Sequence, residues 1–353
     1  MTVYVHFNLF VGLLIQTKND LNKLRALLVC HVSPGIGIGH LSRLLALAQE
    51  LKKDNKVIPE FLIFGVPVKK NELSDFNVHT FSISSDLVAT IELLLEEVFF
   101  DTLIFDLHQN NIPYNVGQLF LDLKQRDICL ISIDSLIEHC DILDLVWIPS
   151  FNFDCGRYRE YTAVLKSGWD SFLIQKRLKD EVWTPGTKVL ILTGGSDISN
   201  LRKTLPTQLD GVLRDNTEVH WVRGPFSGML NLPKKCRLKW IVHNSPDQLD
   251  DLIVECDYVI TVFGVSFFEV LQYGRPTVVF SPYGNKDNKE LEALSKEGVA
   301  LVAHNPNEAI NGLIQLMNND EIANVYAKVA LGKMSINGAQ ILSKAVHSLK
   351  GSK

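Results

Sequence analysis

The chain has 353 residues, of which 46% are hydrophobic and 21% charged, enough for two buried cores of about 150 residues each. Its 35 basic and 40 acidic residues nearly balance, which excludes recruitment of nucleic acid or an anionic membrane by bulk charge. The six cysteines are scattered without a CxxC pair and read as reduced core residues of a cytoplasmic protein.

The apolar run Phe7–Ile15 lacks a basic flank before it and a small-residue cleavage site after it, so residues 1–23 read as an N-terminal extension and not as a signal peptide. No stretch reaches the roughly 20 apolar residues of a transmembrane segment. The organising segment follows, LLVCHVSPGIGIGHLSRLLALAQEL at 27–51. An apolar run short enough for a buried strand passes through a Gly/Pro loop into apolar residues at helical spacing. Gly35, Gly37 and Gly39 remove Cβ atoms where the backbone turns, so an anion can approach the first N–H groups of the helix. The same turn carries His40 and Arg43, a titratable imidazole and a cation at the mouth of a helix. Two readings stand here, a ligand-free glycine turn and a phosphate cradle.

Strand and helix signals then alternate, with strands at 57–64, 78–83, 101–106, 128–134 and 145–149 and helices at 86–97 and 119–125. Strands separated by helices need crossover connections, so the sheet is expected to be parallel with helices on both faces. Residues 24–153 form a first Rossmann-like domain in this reading. Asp106 and His108 close the run DTLIFDLH and face a common rim or cap the strand end. Asp134, His139, Asp141 and Asp144 lack ligand spacing, and no metal or cofactor is expected.

The alternation breaks at 154–186, read as the interdomain connection, and resumes in a second Rossmann-like domain at 187–336. Its strands are expected at 188–193, 218–222, 238–242, 258–262, 277–281 and 299–303. Glycine turns follow three of them: Gly194-Gly195-Ser196, Gly264-Val265-Ser266 and the turn at Gly284. Turns at the carboxyl ends of parallel strands share one sheet edge, where open α/β folds bind ligands. Glu269, in the helix after the second of these turns, reads either as a solvated helix charge or as a ligand-binding carboxylate. Residues 337–353 form a last helix.

Several segments occur in the order seen in a known family: GIGHLSRLLALAQEL, LIFDLH, ISIDSLIEHCDILDLVWIPSF, SGWDSFLI, LILTGGSD and YVITVFGVSFFEVLQYGRPTVVF. Over about residues 26–305 the chain resembles the UDP-sugar hydrolases of pseudaminic acid biosynthesis, which share the GT-B fold with MurG-like glycosyltransferases. The resemblance implies two Rossmann-like domains with parallel sheets facing across a cleft. It also implies hydrolysis of a UDP-sugar at the anomeric carbon without a metal, with His40 as the general base. The Gly194-Gly195-Ser196 and Gly264-Val265-Ser266 turns would hold the diphosphate, with Gly37, Gly39 and Arg43 opposite, and Glu269 would hold the ribose. The chain departs from the family pattern at His31, His108 and Phe268. His108 joins His40 as a candidate catalytic residue. A GT-B transferase using a sugar hydroxyl as nucleophile, and a non-catalytic nucleotide-sugar binder, stand beside the hydrolase.

Overall fold

The computed structural model describes residues 23–351, apart from 159, 161, 162 and 180. The N-terminal run Phe7–Ile15 therefore lies outside the described residues. Two wholly parallel sheets organise the rest. The first is seven-stranded, ordered β3-β2-β1-β4-β5-β6-β7, from β1 (Leu24–Val32), β2 (Val57–Gly65), β3 (Asn77–Phe81), β4 (Thr102–Asp106), β5 (Cys129–Ile133), β6 (Leu145–Trp147) and β7 (Val164–Lys166). The second is six-stranded, ordered β10-β9-β8-β11-β12-β13, from β8 (Lys188–Leu192), β9 (Glu218–Arg223), β10 (Lys239–Asn244), β11 (Tyr258–Val262), β12 (Thr277–Phe280) and β13 (Leu301–Val302).

The strand order reverses between β1 and β4 in the first sheet and between β8 and β11 in the second. Adjacent crossovers leave opposite faces there, so a crevice opens at the carboxyl ends of those strands. The GIGIG, TGGSD and FG turns leave β1, β8 and β11, which puts them at these two crevices.

Helices cover both faces: α1 (Gly39–Lys53), α2 (Leu87–Glu97) and α3 (Val116–Gln125) on the first sheet, and α4 (Leu205–Val212), α5 (Asp250–Glu255), α6 (Val265–Leu271), α7 (Asn288–Glu297), α8 (Pro306–Asn318) and α9 (Asp320–Lys333) in the second unit. Leu28, Ile104 and Ile131 point into one core with α1, while Leu27, Leu103 and Leu130 point into the other with α2 and α3. This is the period-2 alternation of strands buried on both faces. Asp86 caps α2 by accepting the Ala89 N–H at 3.1 Å, which satisfies a helix-start donor that would otherwise lack a partner.

One feature departs from the sequence reading, and the destination of the last helix, which that reading left open, is the other addition. β7 lies inside the stretch read as connection and adds an edge strand to the first sheet through pairing with β6. α10 (Gly338–Gly351) returns to the first unit, where Ala339, Leu342 and Val346 share a core with Leu41, Leu44 and Leu45 of α1. The chain therefore crosses the cleft twice, at the connection and before α10.

Candidate functional site

The β1 turn delivers His40 to the first turn of α1, and β4 ends on Asp106 beside it. His40 Nδ1 lies 2.6 Å from Asp106 Oδ1, and the carboxylate is fully buried while the imidazole side chain keeps 15% exposure. Arg43, one helical turn on, donates from Nε to Asp106 Oδ2 at 2.8 Å and from Nη2 to Oδ1 at 2.7 Å. Its Nη1 reaches Asp134 at 2.9 Å. Burial alone would raise the Asp106 pKa, but Arg43 and His40 hold it below the usual carboxylate range. An ionised carboxylate at 2.6 Å accepts, so the Nδ1 proton sits on His40 and donates. Nε2 has no protein partner among the described residues. In the neutral ring that nitrogen is a lone-pair acceptor aimed away from Asp106, the arrangement of an oriented general base.

Arg43, expected among the ligand-binding residues, places three of its five N–H groups on Asp106 and Asp134. Burial would lower its pKa, yet the two carboxylates raise it, so it stays charged and acts on the site through Asp106. His108 follows β4 with its ring edge-on to His40, centroids 6.2 Å apart. Its Nδ1 is 3.1 Å from Asn111 Oδ1, and its backbone N–H donates to His31 Nδ1 at 3.1 Å. His31 is 2% exposed. Burial, with the neighbouring His40 and His108, lowers its pKa to about 4, so it is neutral and serves as an acceptor under the rim.

Next to this cluster a cavity of about 230 Å³ runs between the two units. Gly37 and Gly39 line it from the first unit, and Gly194, Gly195, Ser196, Gly264, Val265, Ser266 and Glu269 line it from the second. The two sides touch. Ser196 Oγ donates to the Pro34 carbonyl at 2.6 Å, and a Cβ on Gly39 would lie 3.4 Å from the Val265 side chain. Gly37 at φ +85° and Gly194 at φ +79° sit in left-handed backbone that favours glycine. Gly224, not singled out in the sequence, packs so closely on the TGGSD turn that a Cβ would meet the Gly194 and Gly195 carbonyl oxygens at 2.5 and 2.4 Å.

Both helices that begin at the cavity, α1 and α6, have no side-chain cap and no acidic residue in the first turn. Their leading N–H groups are available to an anion. Glu269, one turn into α6, is partly buried; burial pushes its pKa up, and Lys70 opposes that shift.

A second cavity, about 430 Å³, shares the Gly264-Val265 and Leu173-Ile174 wall with the first. Its lining includes five phenylalanines, Phe151, Phe153, Phe172, Phe263 and Phe268, together with Arg43 and Asp134. Neither His40 nor His108 lines either cavity.

Glu218, His220 and Glu255 bring their ligand atoms within 4.8 Å of one another on the second sheet, a grouping invisible in the sequence because Glu255 comes from α5. Lys188 lies 2.6 Å from Glu255, and Lys239 pairs with Glu218, so both carboxylates are already neutralised. No helix among the described residues is long and apolar enough to cross a membrane.

Two Rossmann-like α/β units with parallel sheets facing across a cleft define the GT-B arrangement, and solved structures share it. Acinetobacter baumannii MurG aligns with 92% of this chain and 99% of its own at TM-score 0.60 and 15% identity. Phytolacca americana UGT2, complexed with UDP-2-fluoroglucose and pterostilbene, aligns over 92% and 99% at TM-score 0.63 and 12% identity. S. aureus MnaA, in a structure with UDP, aligns over 92% and 96% at TM-score 0.61 and 9% identity. At these identities the likeness is one of fold. In sequence, the chain is 26% identical over 280 residues to an uncharacterized protein of Methanocaldococcus jannaschii, covering 72% of this chain and 54% of that one. It thus spans about half the length of that relative. No family model matches the chain.

Proposed function

We propose that the protein is an enzyme acting on a nucleotide-diphosphate sugar, and that its reaction is hydrolysis of a UDP-sugar at the anomeric carbon. The observation that carries this reading is the Asp106-oriented His40, with Nε2 free, in the first turn of the helix whose glycine turn borders the interdomain cavity. UDP in the solved MnaA structure and UDP-2-fluoroglucose in the UGT2 structure support the choice of nucleotide.

In this reading water sits against His40 Nε2, flanked by the His108 ring. As its oxygen bonds to the anomeric carbon, the carbon–oxygen bond to the β-phosphate breaks and the proton passes to Nε2. Asp106 stabilises the imidazolium that forms. The leaving diphosphate gains negative charge and is met by amides of the Gly194–Ser196 and Gly264–Ser266 turns and by the start of α6. Glu269 accepts from ribose hydroxyls. Glu269→Ala is expected to weaken UDP binding by about 1.5 to 3 kcal/mol, the range for hydrogen bonds to a charged group. Isothermal titration of UDP into the folded variant checks this, and unchanged affinity would remove Glu269 from the nucleotide site.

The 430 Å³ cavity with its five phenylalanines favours one second reading. A volume of that size, bordered by the Arg43 that shares Asp106 with His40, has room for an acceptor with an apolar body, which would make the protein a GT-B glycosyltransferase. Incubation with UDP-sugars in EDTA separates the readings. A hydrolase releases UDP and free sugar without an acceptor, a transferase releases UDP only when a hydroxyl acceptor is added, and release in neither case would leave a non-catalytic binder.

A further inference from the structure

The interdomain cavity is short of positive charge for a site that receives a diphosphate. Its acidic lining comprises Glu72, Asp197, Asp247 and Glu269, and its basic lining Lys70 and Arg177. Arg177 is committed already: Nη1 donates to Asp250 at 2.7 Å and Nη2 to the Glu72 and Gln175 side chains. Lys70 differs, because its Nζ donates to the backbone carbonyl of Asp247 at 2.7 Å and pairs with no carboxylate among the described residues. The Glu269 carboxylate feels its charge without forming an ion pair with it, so the desolvation of this ammonium in a partly enclosed cleft is only partly offset. It is the cation in this lining that an incoming anion can pair with without breaking an existing ion pair.

Its position in the chain adds the consequence. Lys70 leaves the carboxyl end of β2 just ahead of a short 3-10 turn at Asn71–Asp75, so it belongs to the first unit. The glycine turns and Glu269 belong to the second. Asn71 makes the same crossing, donating to the Asp247 carboxylate from its side chain.

We infer that Lys70 is the counter-ion of the nucleotide's diphosphate, supplied across the cleft by the first unit, so that bound nucleotide ties the two units together. This rests on the reading that the cavity takes a nucleoside diphosphate. An ammonium is a point charge that strengthens any phosphate contact irrespective of its angle. The sugar and base carry no charge for it to meet.

The test is titration calorimetry of UDP and of uridine against the parent, Lys70→Gln and Lys70→Arg, with thermal melts confirming that each is folded. Lys70→Gln should weaken UDP about ten- to hundredfold and uridine less than about twofold, with a shallower salt dependence for UDP, while Lys70→Arg should recover most of the loss. Equal UDP affinity in parent and Lys70→Gln would overturn the assignment while leaving the nucleotide site intact. Equal losses for UDP and uridine would also overturn it, since Lys70 would then act only as a latch on Asp247. A parent that binds no UDP would overturn both this inference and the nucleotide reading.

Discussion

Replacing His40 by glutamine is expected to lower turnover of the sugar nucleotide by a factor of about 100 to 10,000 while leaving UDP affinity within about twofold. The amide preserves bulk and a hydrogen bond to Asp106 but cannot take a proton from water. The alternatives predict different losses. A histidine that only closed the start of α1 would change melting temperature and not turnover, and one that held a phosphate would raise the UDP dissociation constant. The imidazole is already fixed at 2.6 Å from a buried carboxylate, so the orientation of its ring is set in the parent. A folded His40→Gln variant turning over at the parent rate would remove the general base from this account.

The second large effect is expected at Asp106, and it has two separable parts. Asp106→Asn should reduce turnover by up to about 10,000-fold, because a neutral amide neither fixes the tautomer nor stabilises the imidazolium. It should also lower stability, by at most about 3 to 5 kcal/mol, because Arg43, 12% exposed, loses the buried one of its two carboxylate partners and keeps only Asp134. Against a usual total of about 5 to 15 kcal/mol that is a large fraction, so the variant is best compared by urea midpoint at low temperature. The sign in pH follows from the depressed pKa of Asp106. Its stabilisation is complete above the unfolded-state value of about 3.9 and is lost as pH falls through the lower folded-state value. The parent should therefore lose stability in that acid window more steeply than Asp106→Asn, and parallel acid profiles would contradict this.

The sequence made the architecture legible where a buried strand ran into a glycine turn. The runs ending at Val32, Leu192 and Val262 are apolar, short and soon followed by glycines, so strand and turn follow from local chemistry alone, and after Val32 and Val262 the helix start does too. β7 was not legible, since Val164–Lys166 is three residues long and becomes a strand only by pairing with β6. The destination of α10 was equally hidden, because its apolar stripe fits any core and only tertiary packing sends it back to α1.

At the site, the sequence pointed to His40 and to Asp106 separately. Their coupling spans 66 positions, and what joins them is the adjacency of β1 and β4 at the reversal in strand order, a property of topology. The two carboxylates that Arg43 pairs with were not legible beside it, since one of them lies 91 positions away. Lys70 carried no local signal, because a lysine after a strand is ordinary until the facing unit supplies Asp247 and Glu269.

The central claim is that water activated at His40 attacks the anomeric carbon of a sugar bound through its diphosphate in the interdomain cleft. Turnover of a UDP-sugar in oxygen-18-labelled water, with mass analysis of the released UDP, tests it most directly. Attack at carbon breaks the carbon–oxygen bond and leaves the phosphate oxygens untouched, so the account predicts unlabelled UDP and labelled sugar, released without an acceptor and in the presence of EDTA. Labelled nucleotide would place the attack on phosphorus and contradict it, as would the absence of release.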